Sequence, residues 1–243
     1  MFAMYLFLSH ICLGEDSMLR YLNHPLMLSD IPKIFKMQMH LRDTYYTEFP
    51  HSGLLLFCGS QGMGKTTSAV QFLWNILNDY PKARFVTNSD LCFMGLPNEV
   101  IRYTDTDDLI RYGSNGLDGV IFFIDEIHLQ WNSLESKSVT PADMIEFAQS
   151  RKQRRLIVGT SQRVNRLAKP LREQLKYVVD CKCLFGCIQR NTILDMEECI
   201  ENMDGTFTVK GGKNYRFLHD YYLRYSFDTY QKMQRGKDKK WRK

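Results

Sequence analysis

The stretch Gly59-Ser60-Gln61-Gly62-Met63-Gly64-Lys65-Thr66-Thr67 decides the fold of this chain. It follows the apolar run 54–58 and precedes a helical pattern over 68–80. A buried strand, a glycine loop and a helix in this order bind a nucleoside triphosphate, because glycines bring backbone N–H groups close to phosphates and the helix adds its positive N-terminal dipole. We therefore expect residues 59–67 to bind ATP, with Lys65 on the β- and γ-phosphates and the Thr66 hydroxyl on Mg²⁺.

Two acidic residues, Asp125 and Glu126, follow the continuous apolar run 119–124. A run of this kind is typical of a central parallel strand, and the carboxyl ends of parallel strands border the ligand crevice. We expect Asp125 to lie near Mg²⁺ and Glu126 to polarise the attacking water. Adjacent acids at this point favour hydrolysis over phosphoryl transfer to a metabolite.

Polar and basic residues around the apolar run 156–159 supply two further candidates. The run ends in Thr160-Ser161-Gln162, where a polar side chain can contact the γ-phosphate, and we favour Gln162 over Ser161. The basic run 151–155 precedes it. Arg151 is our candidate for an arginine that a neighbouring subunit supplies to the transition state, with Arg154 and Arg155 as alternatives.

Charge is unevenly distributed along the 243 residues, whose formal net charge is +5. Residues 231–243 contain seven Lys or Arg and one Asp, a net +6, which leaves −1 for the rest. Such a basic tail suits nucleic acid or an acidic membrane surface, and a solvated terminus is the alternative.

Cysteine usage indicates a reducing compartment, because the seven cysteines are odd in number and form no regular disulfide framework. Cys181, Cys183, Cys187 and Cys199 fit no common zinc spacing, so metal binding by them stays open. We expect a cytoplasmic location, in the host if the protein is viral, with virion or membrane association left open.

The pattern of elements divides the chain into four parts. Residues 1–52 form a lead-in that packs beside the core, with a short helix near 31–41. Its apolar start, 1–14, is too short to span a bilayer, and its role and the true start of translation stay open. Residues 53–182 form the P-loop core, 183–230 a β-hairpin-like and aromatic-rich appendage, and 231–243 the basic tail. Alternating strands and helices predict an α/β fold with a mainly parallel sheet flanked by helices and a small β-rich C-terminal appendage.

Three segments resemble the Zot-like ATPases, a family that includes filamentous-phage assembly proteins. They are 86–91 (Val-Thr-Asn-Ser-Asp-Leu), 121–131 (Ile-Phe-Phe-Ile-Asp-Glu-Ile-His-Leu-Gln-Trp) and the helix, strand, polar Gln, basic helix and strand of 144–179. The resemblance covers roughly residues 53–182. It implies a RecA/FtsK–HerA-like fold, a homo-oligomer in the form of a hexameric or similar ring, ATP at subunit interfaces and Arg151 acting in trans.

One departure from that family shapes the functional expectation. Filamentous-phage members carry a transmembrane helix after the ATPase domain, and no such stretch follows here, which favours a soluble ATPase. We expect ATP hydrolysis to drive sequence-independent DNA translocation in viral genome packaging, with capsid or coat protein as further partners. The alternatives are a Zot-like assembly or extrusion ATPase that acts on coat protein or at a membrane, and an ATP-switched helicase loader.

Overall fold

The computed structural model describes Pro32, 35–37, Met39, 48–91, 96–134, 139–201, 207–209 and 212–227. The described residues of the predicted lead-in helix are helical. The apolar start of the chain and its basic tail lie outside the described residues. Among the residues that are described, no helix is long and apolar enough to cross a bilayer.

The described residues after the lead-in form ten strands and five helices. The strands are β1 (Gly53–Cys58), β2 (Arg84–Thr87), β3 (Val100–Arg102), β4 (Val120–Ile124), β5 (Arg155–Ser161), β6 (Leu175–Leu184), β7 (Ile188–Asp195), β8 (Cys199–Glu201), β9 (Phe207–Val209) and β10 (Lys213–Leu218). The helices are α1 (Lys65–Asp79), α2 (Asp108–Arg111), α3 (Pro141–Ala148), α4 (Lys169–Arg172) and α5 (Tyr221–Tyr225). Short 3₁₀ turns occupy Ile127–Leu129, Val164–Arg166 and Met196–Glu198.

Eight strands form one sheet in the order β10-β7-β6-β1-β5-β4-β2-β3. The six strands from β6 to β3 in this order are parallel, whereas β7 pairs antiparallel with both β6 and β10. This confirms the predicted α/β fold with a mainly parallel sheet. Because β5 lies between β1 and β4, the loop after β1 and the acids after β4 flank the end of β5.

Apolar side chains on both faces of the sheet form two core clusters. One face buries Phe57, Phe85 and Phe123 against Leu73 of α1. The other face buries its side chains under α3, α4 and the fully buried Trp131. Both faces of the central strands are covered, as the continuous apolar runs predicted.

The β-rich C-terminal part continues the main sheet. The predicted division at residue 182 falls inside β6, which pairs with β1 along its first half and with β7 along its length. β10 then pairs with β7. One face of these strands is exposed, so polar and apolar residues alternate along them. This alternation did not reveal in the sequence that the strands belong to the main sheet.

Helix α3 begins at a capping box formed by Thr140 and Asp143. It ends at Ala148, and just beyond this end the Ser150 hydroxyl donates to the Phe147 carbonyl at 2.7 Å. Ile145 is 53% exposed, so it lies on the face of the helix that points away from the core.

Candidate nucleotide site

The glycine loop joins β1 to α1 at the carboxyl edge of the sheet. Gly62 and Gly64 have φ of 79° and 75°, values that residues with a Cβ rarely adopt. Lys65 is the first residue of α1, and its Nζ donates to the Ser60 carbonyl at 3.3 Å. The loop therefore presents backbone N–H groups, a helix N-terminus and an ammonium group to one small volume, as a triphosphate requires.

A buried glutamine supports this loop from β7. The side chain of Gln189 is fully buried, and its Nε2 donates to the Met63 carbonyl at 3.0 Å. A Cβ at Gly64 would lie 2.1 Å from Gln189 Oε1 and would sit on a left-handed backbone, so any larger residue there would be strained and would displace Gln189. Gln189 also donates to Asn191, which donates to the Ser68 hydroxyl of α1. The antiparallel part of the sheet thus fixes both the loop and the first turn of α1.

Asp125 lies directly after β4, within reach of the loop. Its Oδ1 accepts hydrogen bonds from Thr66 Oγ1 at 3.3 Å and from Thr160 Oγ1 at 2.5 Å. Burial raises the pKa of Asp125, while the bonds from Thr160 and Thr66 and the charge of Lys65 lower it. Asn88 fixes the backbone of Asp125, accepting from its N–H at 2.8 Å and donating to its carbonyl at 3.0 Å.

Glu126 has a left-handed backbone, with φ 52° and ψ 45°. Its N–H donates to Thr160 Oγ1 at 2.9 Å, so one hydroxyl ties together Asp125 and Glu126. A non-glycine residue in this conformation costs of order 1–3 kcal/mol and persists only where its surroundings enforce it. The turn directs the Glu126 carboxylate away from the line of β4.

The Glu126 carboxylate faces a buried histidine. Its Oε2 lies 3.3 Å from His128 Nε2, and His128 Nδ1 lies 3.3 Å from the Ser161 hydroxyl. Burial lowers the pKa of His128, and the charges of Arg166 and Lys65 lower it further. The Ser161 hydroxyl donates to the Arg163 carbonyl at 2.9 Å, and the contact between His128 and Glu126 becomes an ion pair only when the ring is protonated.

The residues after β1 and β4 fit a magnesium ion. Mg²⁺ prefers hard oxygen ligands, and two oxygens bound side by side to it lie about 3 Å apart. Thr66 Oγ1 and Asp125 Oδ1 are 3.3 Å apart, so a small movement would allow both to hold the ion, directly or through water.

Comparison with protein families decides the class of this site. The model of the ATPase family associated with various cellular activities (AAA) matches residues 55–182, more than half of the chain.

The chain belongs to the AAA ATPase family.

It is therefore an ATP-binding P-loop hydrolase, as the glycine loop and the acids after β4 predicted.

Several solved structures are similar to this ATPase at low sequence identity. The N-terminal domain of zonular occludens toxin from Neisseria meningitidis is 17% identical with a TM-score of 0.54, covering 73% of this chain and 99% of its own. The genome packaging NTPase B204 from Sulfolobus turreted icosahedral virus 2, in complex with ATPγS, is 14% identical with a TM-score of 0.44, covering 64% and 95%. B204, the DNA-packaging ATPase from Sulfolobus turreted icosahedral virus, is 11% identical with a TM-score of 0.46, covering 64% and 95%. The toxin domain confirms the predicted Zot-like resemblance at the level of fold, and no curated protein sequence matches.

The structure separates the three arginines proposed as the one acting in trans. Arg155 is 1% exposed and pairs with Glu146 at 2.7 Å, and Arg154 pairs with Glu48. Arg151 is exposed. All three lie at or just before the start of β5, so they are at the edge of the sheet opposite the loop and do not reach the nucleotide site of their own subunit. The action of Arg151 at the nucleotide site of a neighbouring subunit stays a prediction.

Gln162 follows β5 and is half-buried, and its role as a γ-phosphate sensor also stays a prediction. The residue of this segment that contacts Asp125 is Thr160, two positions earlier. Asn88 and Gln189 were not predicted to belong to the site. The order of the strands, which the sequence does not state, brings them to the site.

The cysteines considered for zinc are not gathered in one place. Cys181 is buried in the core, and burial raises its pKa to about 12, which disfavours the thiolate that a metal needs. Cys187 is exposed, and Cys199 donates to the Asp195 carbonyl. Among the described residues, no group of three or more His, Cys, Asp or Glu side chains could hold a metal ion.

Proposed function

We propose that this ATPase uses Mg²⁺ and couples ATP hydrolysis to the movement of DNA, with genome packaging by a virus or mobile element as its biological setting. The observation that carries hydrolysis is the joining of Asp125 and Glu126 by the Thr160 hydroxyl, and the net +6 charge of residues 231–243 supports DNA as the partner. One acid lies beside the Thr66 hydroxyl and the next faces away, as hydrolysis by an activated water requires.

The residues of the chain have separate roles in this proposal. The loop N–H groups and Lys65 hold the phosphates, and Thr66 with Asp125 holds the metal ion. The ion, when bound, neutralises charge on the phosphates. Glu126 orients the attacking water and accepts its proton. His128, 3.3 Å from the Glu126 carboxylate, restricts the orientation of that carboxylate during the chemical step.

In this proposal the active ATPase is a ring of identical subunits. Arg151 lies at the sheet edge opposite the loop, a position from which it can serve only a neighbouring subunit. Its charge would stabilise the transition state there, a contribution of about 10³–10⁵ in rate for arginines of this kind. We propose that the subunits close into a ring, and we also propose a cytoplasmic location and a capsid component as partner.

Steady-state ATP hydrolysis with and without DNA, measured across salt concentrations, tests the proposal, with Lys65→Ala as the blank. We expect DNA to stimulate hydrolysis and the stimulation to fade as salt rises, because phosphate contacts release counterions. Hydrolysis indifferent to any DNA would instead favour an assembly factor that acts on coat protein. Tight partner binding that persists in Glu126→Gln without turnover would favour an ATP-switched loader.

A further inference from the structure

Three basic side chains lie in one row across the antiparallel extension of the sheet. Lys182 of β6 pairs with Arg190 of β7, and Arg190 pairs with Arg216 of β10. Residues directly opposite each other point to the same face. All three are exposed, and two strand spacings separate the outer members by about 10 Å.

This row is unfavourable for the sheet itself. Like charges directly opposite each other destabilise a strand pair. Lys182 Nζ is offset by Asp180 at 3.1 Å. Within the described part of the chain, no carboxylate lies within ion-pair distance of Arg190 or Arg216. An external anion would relieve the repulsion.

An apolar row with an exposed ring borders the cations. The apolar row crosses the same three strands two residues nearer the turn between β6 and β7. It consists of Leu184, Ile188 and Leu218, which are paired with one another in that order. Leu184 and Leu218 are 47% and 69% exposed. Phe185 forms the hairpin turn with φ 52° and is 92% exposed. We name Lys182, Arg190, Arg216 and Phe185 together the cationic face.

The pairing of cations with an exposed ring points to single-stranded nucleic acid. Proteins that hold a single strand combine a positive surface along the backbone with aromatic rings on which bases stack. A duplex offers phosphates but keeps its base faces stacked inside, so it has no use for Phe185.

We propose that the cationic face binds single-stranded DNA, with Lys182, Arg190 and Arg216 on successive phosphates and Phe185 stacked on a base. This inference rests on the proposed function and names the form of DNA that the ATPase grips. It also assigns DNA binding to a defined surface of the protein.

The position of the face connects it to the nucleotide. Beyond Asp180, which pairs with the last residue of β1, β6 continues for four residues past the carboxyl edge of β1. Gln189 and Arg190 are neighbours in β7, so their side chains point to opposite faces. Gln189 holds the glycine loop, and Arg190 belongs to the cationic face. In this proposal the β-strand β7 therefore contacts the glycine loop through one face and the DNA through the other.

Fluorescence anisotropy of the full chain with oligothymidylate of about 25 nucleotides tests the phosphate contacts. The test variant combines Lys182→Gln, Arg190→Gln and Arg216→Gln. The charge-matched control combines Lys82→Gln, Arg111→Gln and Lys152→Gln, three exposed cations near the opposite edge of the sheet. We expect the test variant to bind about tenfold or more weakly and to reduce the salt slope by about 2, with the control unchanged. Its unfolding midpoint should be equal or higher, because the repulsion is removed.

Phe185→Ala tests the choice of single strand over duplex, with Phe185→Tyr as the variant that keeps the ring. We expect Phe185→Ala to bind oligothymidylate about 5- to 150-fold more weakly and Phe185→Tyr to bind normally. Binding of a duplex of equal length should not change with Phe185→Ala. A preference of the wild-type chain for duplex, with no effect of Phe185→Ala, would overturn the single-strand assignment.

The two proposals fail in different ways. DNA-stimulated hydrolysis together with normal binding by the test variant would overturn the cationic face and leave the DNA motor standing. Absence of both binding and stimulation in the wild-type chain would overturn both.

Discussion

The Nε2 atom of His128 lies 3.3 Å from the Oε2 atom of Glu126, between the candidate catalytic base and the buried end of β5. Glu126 leaves β4 through a left-handed turn, and His128 follows it in the next 3₁₀ turn. The chain therefore places an imidazole beside its own carboxylate. This contact restricts the orientation of a side chain that must orient water.

Replacing His128 should impair the chemical step. We expect His128→Ala to lower kcat about tenfold with little change in KM for ATP, because the carboxylate loses its fixed position while the phosphate contacts remain. His128→Gln should recover part of the rate, since its amide can donate to Glu126. Equal losses in both variants would show that the imidazole acts in some other way.

The histidine should also make stability depend on pH. The pKa of His128 is lowered from its ordinary value of 6.5, so the unfolded chain takes up a proton below that pH before the folded chain does. The free energy of unfolding should therefore fall as pH drops through this window. Urea unfolding at about pH 7.5 and about pH 5.5 should show a smaller loss in His128→Gln than in the wild-type chain. His219, whose pKa is also lowered, is present in both and cancels. An identical loss in the two chains would contradict the assignment.

Thr160→Val should damage both stability and metal binding. The hydroxyl is fully buried and serves Asp125 and the Glu126 N–H, so its loss should cost about 1–3 kcal/mol of unfolding free energy. The Mg²⁺ concentration for half-maximal hydrolysis should rise about 10- to 100-fold, as for other residues that orient a metal ligand. Thr160→Ser keeps the hydroxyl and should approach the wild-type chain. A valine variant with normal Mg²⁺ dependence would exclude Thr160 from this role.

Gln189→Ala should weaken ATP binding more than turnover. Gln189 contacts the loop carbonyl of Met63 and has no place in the chemical step. We expect KM for ATP to rise about tenfold, equivalent to about 1.4 kcal/mol, with kcat nearly unchanged. Asn214→Ala, an exposed change in the neighbouring strand β10, serves as the control. A fall in kcat alone would assign Gln189 to the chemical step instead.

The arginines at the start of β5 should separate by phenotype. Arg155→Met should destabilise the fold by about 3–5 kcal/mol, because Glu146 keeps a largely buried charge without its partner. Arg151→Ala should destabilise the fold far less than Arg155→Met, because Arg151 is exposed, and should abolish hydrolysis. Mixing Arg151→Ala with Lys65→Ala should then restore hydrolysis that neither has alone, because mixed interfaces contain one intact loop and one intact arginine. No recovery on mixing would argue against Arg151 acting between subunits.

Local sequence was sufficient for the parts of the site that are contiguous in the chain. The glycine loop needs its glycines, lysine and threonine at fixed spacing, and the acids follow a run that is apolar on both faces. These signals are independent of strand order, so β1, α1 and β4 were predicted with their functional side chains.

The remaining contacts depend on strand order. Gln189 reaches the glycine loop because β7 returns antiparallel beside β6, and Asn88 reaches Asp125 because β2 pairs with β4. In the sequence both are ordinary polar residues at strand positions. The local sequence around Gln189 shows only an amide next to a charged residue, Arg190. Alternation of side chains along a strand does not reveal which of these two residues lies on the buried face of the sheet.

Displacement of streptavidin from end-biotinylated single-stranded DNA tests the central claim most directly, because it reports movement along the strand as well as binding. The wild-type chain with ATP and Mg²⁺ should displace streptavidin from one end of the strand, and Glu126→Gln should bind the DNA without displacing it. DNA-stimulated hydrolysis with no displacement from either end would contradict a DNA-translocating ATPase.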